Sequence, residues 1–600
     1  MIKKCCNALL CFALFFGLAA ALPAQSIVTG GLAGIVTDPT GAVVTGAKLT
    51  LTNPANGDTF TATSSSAGDF VFALLKPGQY TLTVSKDGFK SSTRTVTVIL
   101  GSTVSANQTL ELGTGTTTVE VNELTGAQLQ TENANISTNF ETKQIQEVPN
   151  PGGDVTYVAQ TAPGVTMNNA TGGGYGNFST FGLPATSNLF TINGNDYNDP
   201  FLNLNNSGAS NLLLGGNELQ EVAVTNNAYT GQYGRQAGSL IDYTTKSGTN
   251  SWHGDAVYNW TGRYLNANDP IANATGVPRP FENNNQWAAS LGGPVLKDKM
   301  FFFLNTEGIR YIFGSIHSAS APTPEFQNYV LGNIPQSAAT QAFYQDIFKL
   351  YNGAPNIANA TPTAGSCTGS GGWTTSTLPS ALANNTCAES WTDAVSAGNT
   401  EWLLSARIDY KFSDSDQVFG RMRFDRGVQP TYTDTINPTF NTNSTQPQNE
   451  GQLNYTHIFS PTVVNNFIGS VLYYSAIFGA INPNSPALSL FPGNLAFSDG
   501  SLTNIGFGSG NPGGFGQGFE YPSGRNVTQW GLVDDLSVTR GNHSFKMGVN
   551  FRRDDISDYT ASNLADYPVV QTTLLGFATD QVASSTLYNF TSTPIQPVAF

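Results

Sequence analysis

Charged residues make up only 11% of this 600-residue chain, against roughly 25% in ordinary soluble domains. The balance is acidic, with 26 Lys and Arg against 41 Asp and Glu, a formal charge of −15. A nucleic-acid binder would need a basic face, and a charged disordered tail would need more charge. Both are excluded. Hydrophobic residues reach 39%, too few for a polytopic helical membrane protein. Beyond the N-terminus no apolar run approaches the roughly 18 residues of a spanning helix, so any membrane crossing must be made by strands.

Catalytic and cofactor signatures are also missing. The four His (His253, His317, His457, His543) are dispersed, and no G-x-S-x-G nucleophile elbow occurs. Gly508-Ser-Gly510-Asn-Pro-Gly513 fits G-x-G-x-x-G, but without strand–helix context it reads as a Gly-rich loop. Asp414 with Asp416, and Asp554 with Asp555, read as solvated carboxylates more readily than as weak Ca²⁺ sites. No enzyme activity, cofactor or metal is expected.

Cysteine is rare, with five in all. Cys5, Cys6 and Cys11 lie in a leader: a basic start at Lys3-Lys4, an apolar run Ala8–Ala21, and a small residue at Ala24 before the expected cut. This is the pattern of a secretory signal over 1–24, and its apolar run is shorter than the roughly 20 residues of an anchor. The remaining pair, Cys367 and Cys387, sits in a Gly/Ser/Thr/Asn-rich stretch and is the candidate for one disulfide in an oxidising compartment.

What the chain has in plenty is Gly (63), Phe (37), Tyr (22) and polar neutral residues, a composition suited to extended β-structure outside the cytoplasm. From about 27 to 112, short alternating segments such as Ala47-Lys-Leu-Thr-Leu-Thr52 and Gly78-Gln-Tyr-Thr-Leu-Thr-Val-Ser85 are separated by Gly/Pro turns. About seven such strands predict a small β-sandwich. The linker 113–125 holds Thr116-Thr117-Thr118-Val119-Glu120-Val121-Asn122. This segment suits either an edge strand added to a partner's sheet or the last strand of the sandwich.

Residues 249–600 alternate with period two. In Glu401–Phe412, Trp402, Leu404, Ala406, Ile408, Tyr410 and Phe412 share one face, opposite Ser405, Arg407, Asp409 and Lys411. One face suits lipid and the other water. Asp534 breaks the apolar face of its strand, which calls for a bulge or an interfacial depth. Nine strands are predicted, near 251–260, 286–293, 300–312, 401–412, 417–426, 450–459, 463–475, 527–539 and 544–555. Their connections are alternately long (313–400 among them) and short (413–416, 540–543), as in an outer-membrane barrel with its short turns in the periplasm. Nine strands do not close an even-numbered barrel. Residues 556–600 offer one or two more, and Pro594 and Pro597 disfavour a final ladder strand before Phe600. The chain is therefore expected to be the N-terminal part of a longer protein, or a truncated gene product.

Two stretches carry a specific resemblance. The order G-x-V-x-D-x-x-G from Gly34, A-x-L-T-L-T from Ala47, then G-x-F-x-F and P-G-x-Y-x-L resembles the carboxypeptidase regulatory-like domain, a prealbumin-like sandwich. Between 126 and 248, Phe190-Thr-Ile-Asn193-Gly194, then Glu221-Val-Ala-Val, Tyr233-Gly234-Arg235 and Gly238-Ser-Leu-Ile-Asp-Tyr-Thr-Thr-Lys246 resemble the plug of TonB-dependent outer-membrane receptors. Asn193 stands where many plugs carry Asp. The combination is most similar to Oar-like receptors.

The implied architecture is mainly β: a sandwich, a mixed α/β plug, and part of a large transmembrane β-barrel of about 22 strands. The resemblance further implies an outer-membrane location with a periplasmic N-terminal domain, a TonB-type energy-coupling partner contacting Thr116–Asn122, and lipid around the barrel. It also implies import of a large or scarce extracellular solute. Amide- and aromatic-rich loops favour an oligosaccharide over a ferric siderophore, and the polar, Gly-rich plug suggests a remodelable domain without a dry apolar core. The rival readings are a surface adhesin that binds glycans without transport, and a secreted carbohydrate-binding protein.

Overall fold

The computed structural model describes residues 30–588 except 101–102, 114–115, 119–135, 149–152, 169–176, 227–233, 269, 369–371, 461, 483–484, 486–493, 498–522, 541–542, 560–566 and 582–583. The expected leader, Val119–Asn122, Tyr233, the loop at Gly508–Gly513, and Pro594–Phe600 fall outside the described residues.

Nine strands make the first unit: β1 (Gly30–Thr37), β2 (Lys48–Thr52), β3 (Thr59–Thr63), β4 (Asp69–Leu75), β5 (Gly78–Ser85), β6 (Ser91–Val98), β7 (Thr103–Ser105), β8 (Gln108–Thr109) and β9 (Thr116–Thr118). One sheet runs β4-β1-β7, with β8 also on β1, and the other runs β3-β2-β5-β6-β9. Alternation sends Leu49, Leu51, Tyr80, Leu82, Val84, Val96 and Val98 inward against Leu32, Val36, Phe70 and Phe72 of the facing sheet. Two sheets packed through alternate residues are the sandwich read from the periodicity.

The plug sheet has the order β10-β15-β16-β13-β14: Ile136–Glu141, Leu219–Asn226, Leu240–Thr245, Leu189–Ile192 and Asn195–Asp196. A short helix, Thr142–Glu147, ends before Pro149. The strand Leu219–Asn226 is preceded by a 3₁₀ turn at Gly216–Glu218. Contrary to the reading from composition, the plug has a packed apolar core. Phe140, Val158, Phe178, Phe190, Ile192, Val222, Val224 and Ile241 are buried together. Polar residues dominate its sequence because its surface, as well as its loops, is covered by polar partners.

The third unit is a wall of nine long antiparallel strands with two short ones, from His253–Gly262 to His543–Tyr559. All nine predicted strands are present, most of them longer at the outer end. The burial pattern is inverted relative to a soluble protein: Glu401, Ser405, Arg407 and Asp409 are buried, whereas Trp402, Ile408 and Phe412 are exposed. Aromatic residues form a belt at the outer level, where Tyr258 pairs with Trp287, Trp287 with Gly308, and Gly308 with Trp402 across consecutive strands. Gly308 is required there, since a Cβ would stand 2.2 Å from the Trp287 ring. Trp260 Nε1 and Trp402 Nε1 donate to Asn283 and Thr306, both at 2.9 Å, the amphipathic arrangement suited to an interface. Phe412, Phe459 and Phe545 mark the opposite rim. Ten residues separate Trp402 from Phe412, and at about 3.3 Å each and a tilt of about 45° they rise about 23 Å, close to the apolar band of an outer-membrane barrel.

Three differences from the sequence reading have physical causes. The connection 313–400 is not a loop throughout. The strands Met300–Pro322 and Ala388–Lys411 stay paired to Pro322↔Ala388, well beyond the roughly 10 residues a crossing needs. Between them a cap with helices Pro324–Asn333 and Ala338–Asn352 buries Phe326, Val330, Ile347, Phe348 and Trp391. Asp534 lies in unbroken register, Phe467↔Asp534 and Asp534↔Val549, so there is no bulge. Its carboxylate accepts from Asn465 Nδ2 at 2.8 Å near the periplasmic rim. Finally, Tyr567–Thr572 and Ser584–Tyr588 do not extend the wall but join Asn494–Phe497 in a separate sheet. They are six and five residues long, too short to cross.

Candidate functional site: the seat of the plug in the wall

The plug meets the wall through its turns. Asn193, at φ 48°, makes the tight turn between β13 and β14, a backbone state Asn tolerates. Its Oδ1 accepts from Thr245 N at 3.0 Å, while its Nδ2 donates to Gln452 Oε1 on the wall at 3.4 Å. A carboxylate could make the first bond but not the second, which gives the Asn at this position a physical reason. Gly194 N donates to the buried Asp242 carboxylate at 3.3 Å, and burial pushes that carboxyl up to about 7.

Arginines on the inner face of the wall grip the plug. Arg421 lies between Glu218 of the plug and Glu450 of the next strand, at 2.8 Å from each. Burial raises the Glu218 carboxyl, but Arg421 and Arg423 outweigh it and hold it below the ordinary range. Arg423 donates to Tyr197 Oη at 2.7 Å and to Leu214 O at 3.2 Å. Arg407, forked onto Asp409 at 2.8 Å, reaches Thr245 Oγ1 at 2.8 Å. Arg552 binds Asp196 at 2.8 Å. Tyr474 donates to Asp199 at 2.7 Å, with Arg525 beside it and 4.6 Å over the Phe201 ring.

Wall carboxylates do the converse, capturing plug backbone. Glu307 accepts from Gly215 N and Asn217 N at 2.9 and 2.8 Å, and Glu401 accepts from Ser210 N at 2.6 Å. A small apolar patch, Leu212 and Leu214 against Ile309, Tyr311 and Leu403, is the greasy part of the seat. The seat is thus built of charge-assisted hydrogen bonds around a dry plug core. Water can replace such contacts one by one.

The residues singled out from sequence fall in different places. Asn193, Gly194 and Lys246 belong to the seat, Lys246 donating to Asn217 O at 2.9 Å. Arg235 pairs with Asp196 at 2.8 Å beside Arg552. Gly238 donates to Ser187 O at 2.7 Å, and a Cβ there would lie 2.4 Å from Asn188 Oδ1, so only glycine fits. Gly234 is exposed and touches no wall residue among the described contacts. Glu221 faces the sandwich, accepting from Leu100 N at 3.0 Å. Thr116–Thr118 pair in parallel with Ser91–Thr93 as the edge of the sandwich sheet. Cys367 and Cys387 are joined within the cap, Cα to Cα 5.0 Å. The carboxylates read as solvated are all partnered: Asp414 with Lys411, Asp416 with Tyr455 and His457, Asp554 with Arg552, and Asp555 with Arg553. The sequence places arginines such as Arg407 on the wet face without partners; across the seat Arg421 meets Glu218, Arg423 meets Tyr197, Arg407 meets Thr245, Arg552 meets Asp196, and Arg525 with Tyr474 meets Asp199. The available signal was charge economy: in so charge-poor a chain, arginines recurring at every second residue mark a surface with a partner.

Comparison with known proteins agrees with this arrangement. Residues 244–593 match the outer membrane beta barrel domain, 31–111 the carboxypeptidase regulatory-like domain and 129–239 the TonB-dependent receptor plug domain. The TonB-dependent transporter Oar of Myxococcus xanthus is 29% identical over 273 residues, 42% of this chain and 24% of that protein. The outer membrane transporter YddB from Escherichia coli aligns with TM-score 0.47 and 11% identity, over 76% of this chain and 52% of that one. The siderophore receptor PirA from Acinetobacter baumannii aligns with TM-score 0.42 and 12% identity, over 71% and 49%. The chain spans about a quarter of the curated relative's length and about half of these solved chains. With the barrel domain alone matching more than half of its residues, the chain belongs to the outer-membrane β-barrel proteins of the TonB-dependent receptor family, of the Oar-like kind that carries a carboxypeptidase regulatory-like domain ahead of the plug.

Proposed function

We propose that the protein works as a TonB-dependent transporter and not as an enzyme. A solute bound on the extracellular side enters the periplasm when a TonB-type partner pulls on the N-terminal segment and shifts the plug in its seat. The observation that carries this reading is the seat itself: a folded, apolar-cored plug is held by polar bonds that water can replace.

Thr116–Asn122 is the proposed pulling point. Among the described residues Thr116–Thr118 pair only with β6, an edge position that suits an added strand, an association driven by backbone hydrogen bonds. The ligand we favour is an oligosaccharide rather than a ferric siderophore, because the loops are rich in amides and aromatics that bind and stack on sugars.

Deleting residues 116–122 tests the mechanism. Loss of solute uptake with surface display retained supports energised transport. Uptake unaffected by the deletion would refute this pulling point, and a strain in which removal of the whole receptor changes only cell adhesion would favour the adhesin.

A further inference from the structure

Beneath the plug, the sandwich lies across the periplasmic rim of the wall. Its β2–β3 turn presents Asp58 to Lys411 Nζ at 3.5 Å and to Gln417 Nε2 at 3.2 Å. Its β4–β5 turn presents Lys76 to Asp409 at 3.6 Å. The pairing is reciprocal: one acid and one base of the sandwich face a base and an acid two residues apart on a single wall strand. That two-point pattern sets the sandwich in one position.

Backbone bonds complete the docking. Ala55 O accepts from Asn250 N at 2.6 Å, and Pro77 O accepts from Gln220 Nε2 of the plug at 3.0 Å. Leu100 is held at both its groups, donating to Glu221 Oε1 at 3.0 Å and accepting from Asn139 Nδ2 at 2.8 Å. Above this contact lies a cavity of about 410 Å³ walled by all three units, among them Asn53 and Gln79 of the sandwich, Asn193 and Lys246 of the plug, and Arg407 and Asn454 of the wall. The cavity is directly below the Asn193 turn that fastens the plug to Gln452.

Among the described residues, the sandwich core has no member from the plug or the wall. The bonds across the docking are hydrogen bonds and ion pairs, with Leu100 the buried apolar residue among them, and Lys76 keeps 42% of its side chain in solvent. Inter-domain contacts held mainly by polar bonds allow relative motion of the domains. A permanent structural contact would be expected to share hydrophobic residues.

We infer that the sandwich domain is a removable floor, closing the exit vestibule between plug and wall, and that a solute passing on this side of the plug leaves only when the Asp58–Lys411 and Lys76–Asp409 contacts part. Its consequence for transport rests on the proposed passage, but the closure can be tested without any solute. Asn454 lines the vestibule and is buried, and the two Cys of the described chain are tied to each other. Asn454→Cys can therefore be labelled in the detergent-solubilised receptor with a small charged maleimide, its rate read above that of the unsubstituted receptor. With the floor docked, labelling is expected to be slow. Asp58→Lys or Lys76→Glu should speed it at least tenfold, and Asp58→Lys combined with Lys411→Asp should return it to within about threefold of the starting rate. Heat-modifiable migration in SDS gels confirms that each variant keeps its barrel. Equal labelling rates in the docked receptor and in both single reversals would overturn the floor, as would failure of the paired reversal to slow labelling. Because no ligand or TonB is needed, a receptor that binds without transporting would still give the docked result, so the two proposals fail separately.

Discussion

The Glu218–Arg421–Glu450 triad gives the sharpest test of how the plug is seated. Arg421 keeps only 1% of its side chain exposed and its carboxylate partners 4% and 6%. Replacing Arg421 with Met would leave two buried carboxylates facing each other without the guanidinium that bonds both, Arg423 acting on them only at longer range. Removing one member of a buried ionic group costs about 3–5 kcal/mol, whereas replacing the whole group by apolar or neutral residues of similar size is often neutral or better. Arg421→Met alone should therefore weaken seating by about 3 kcal/mol, roughly a hundredfold in the ratio of seated to released plug. Arg421→Met with Glu218→Gln and Glu450→Gln should recover most of it. Urea-dependent conductance of the receptor in planar bilayers reads plug release. With a slope of about 2 kcal/mol per molar urea, the midpoint should fall by about 1.5 M in the single variant and return near the starting value in the triple. If the single variant keeps its midpoint, the triad does not hold the plug. If the triple falls as far as the single, the cost is packing and not the stranded charge.

Two further outcomes follow from the junction and the cap. Glu221, facing Leu100 with Glu141 and Asp242 nearby, has its carboxyl pushed by burial up to about 7, against about 4.3 when free. The Leu100 N–H opposes this shift by favouring the charged form, but burial wins, so the folded state binds the proton more tightly than the unfolded chain, a contribution complete below pH about 4 and lost as pH rises through about 7. Hydrogen exchange at the Leu100 amide, corrected for intrinsic rate, should show less protection at pH 8 than at pH 5, and Glu221→Gln should flatten the difference; identical slopes in the two proteins would exclude Glu221 as the cause. In the cap, Cys367 and Cys387 are 20 residues apart, and opening a loop of that size costs about 3 kcal/mol in the chain-entropy account. Reduction, or Cys367→Ser with Cys387→Ser, should expose 323–387 to protease at lower denaturant while leaving the wall strands protected.

How much of this was legible beforehand depends on where the information is stored. Period-two alternation with Trp402, Ile408 and Phe412 on one face and Arg407 and Asp409 on the other is local, and it located all nine long strands. The inner face could be recognised as polar but not as paired, because the partner of Arg421 is 203 residues away at Glu218. Hydrogen bonds between distant residues leave no periodic trace. The plug core escaped for a different reason: Phe140, Phe178, Phe190 and Ile241 are scattered among glycines and amides, so composition averaged over the segment hides a core assembled from single residues. The helices of the cap were missed inside a stretch read as a loop, although Ala338–Asn352 carries Tyr344, Ile347, Phe348 and Tyr351 at helical spacing on its buried face; the signal was present and was overridden by the expectation of long outer loops. Asn193 shows the limit most clearly. In the sequence it is only a departure from the plug pattern, whereas in the fold its amide nitrogen reaches Gln452, where a carboxylate has no proton to give. A substitution that weakens a motif within the plug can be the one that fastens the plug to the wall, and only the geometry across the seat distinguishes the two.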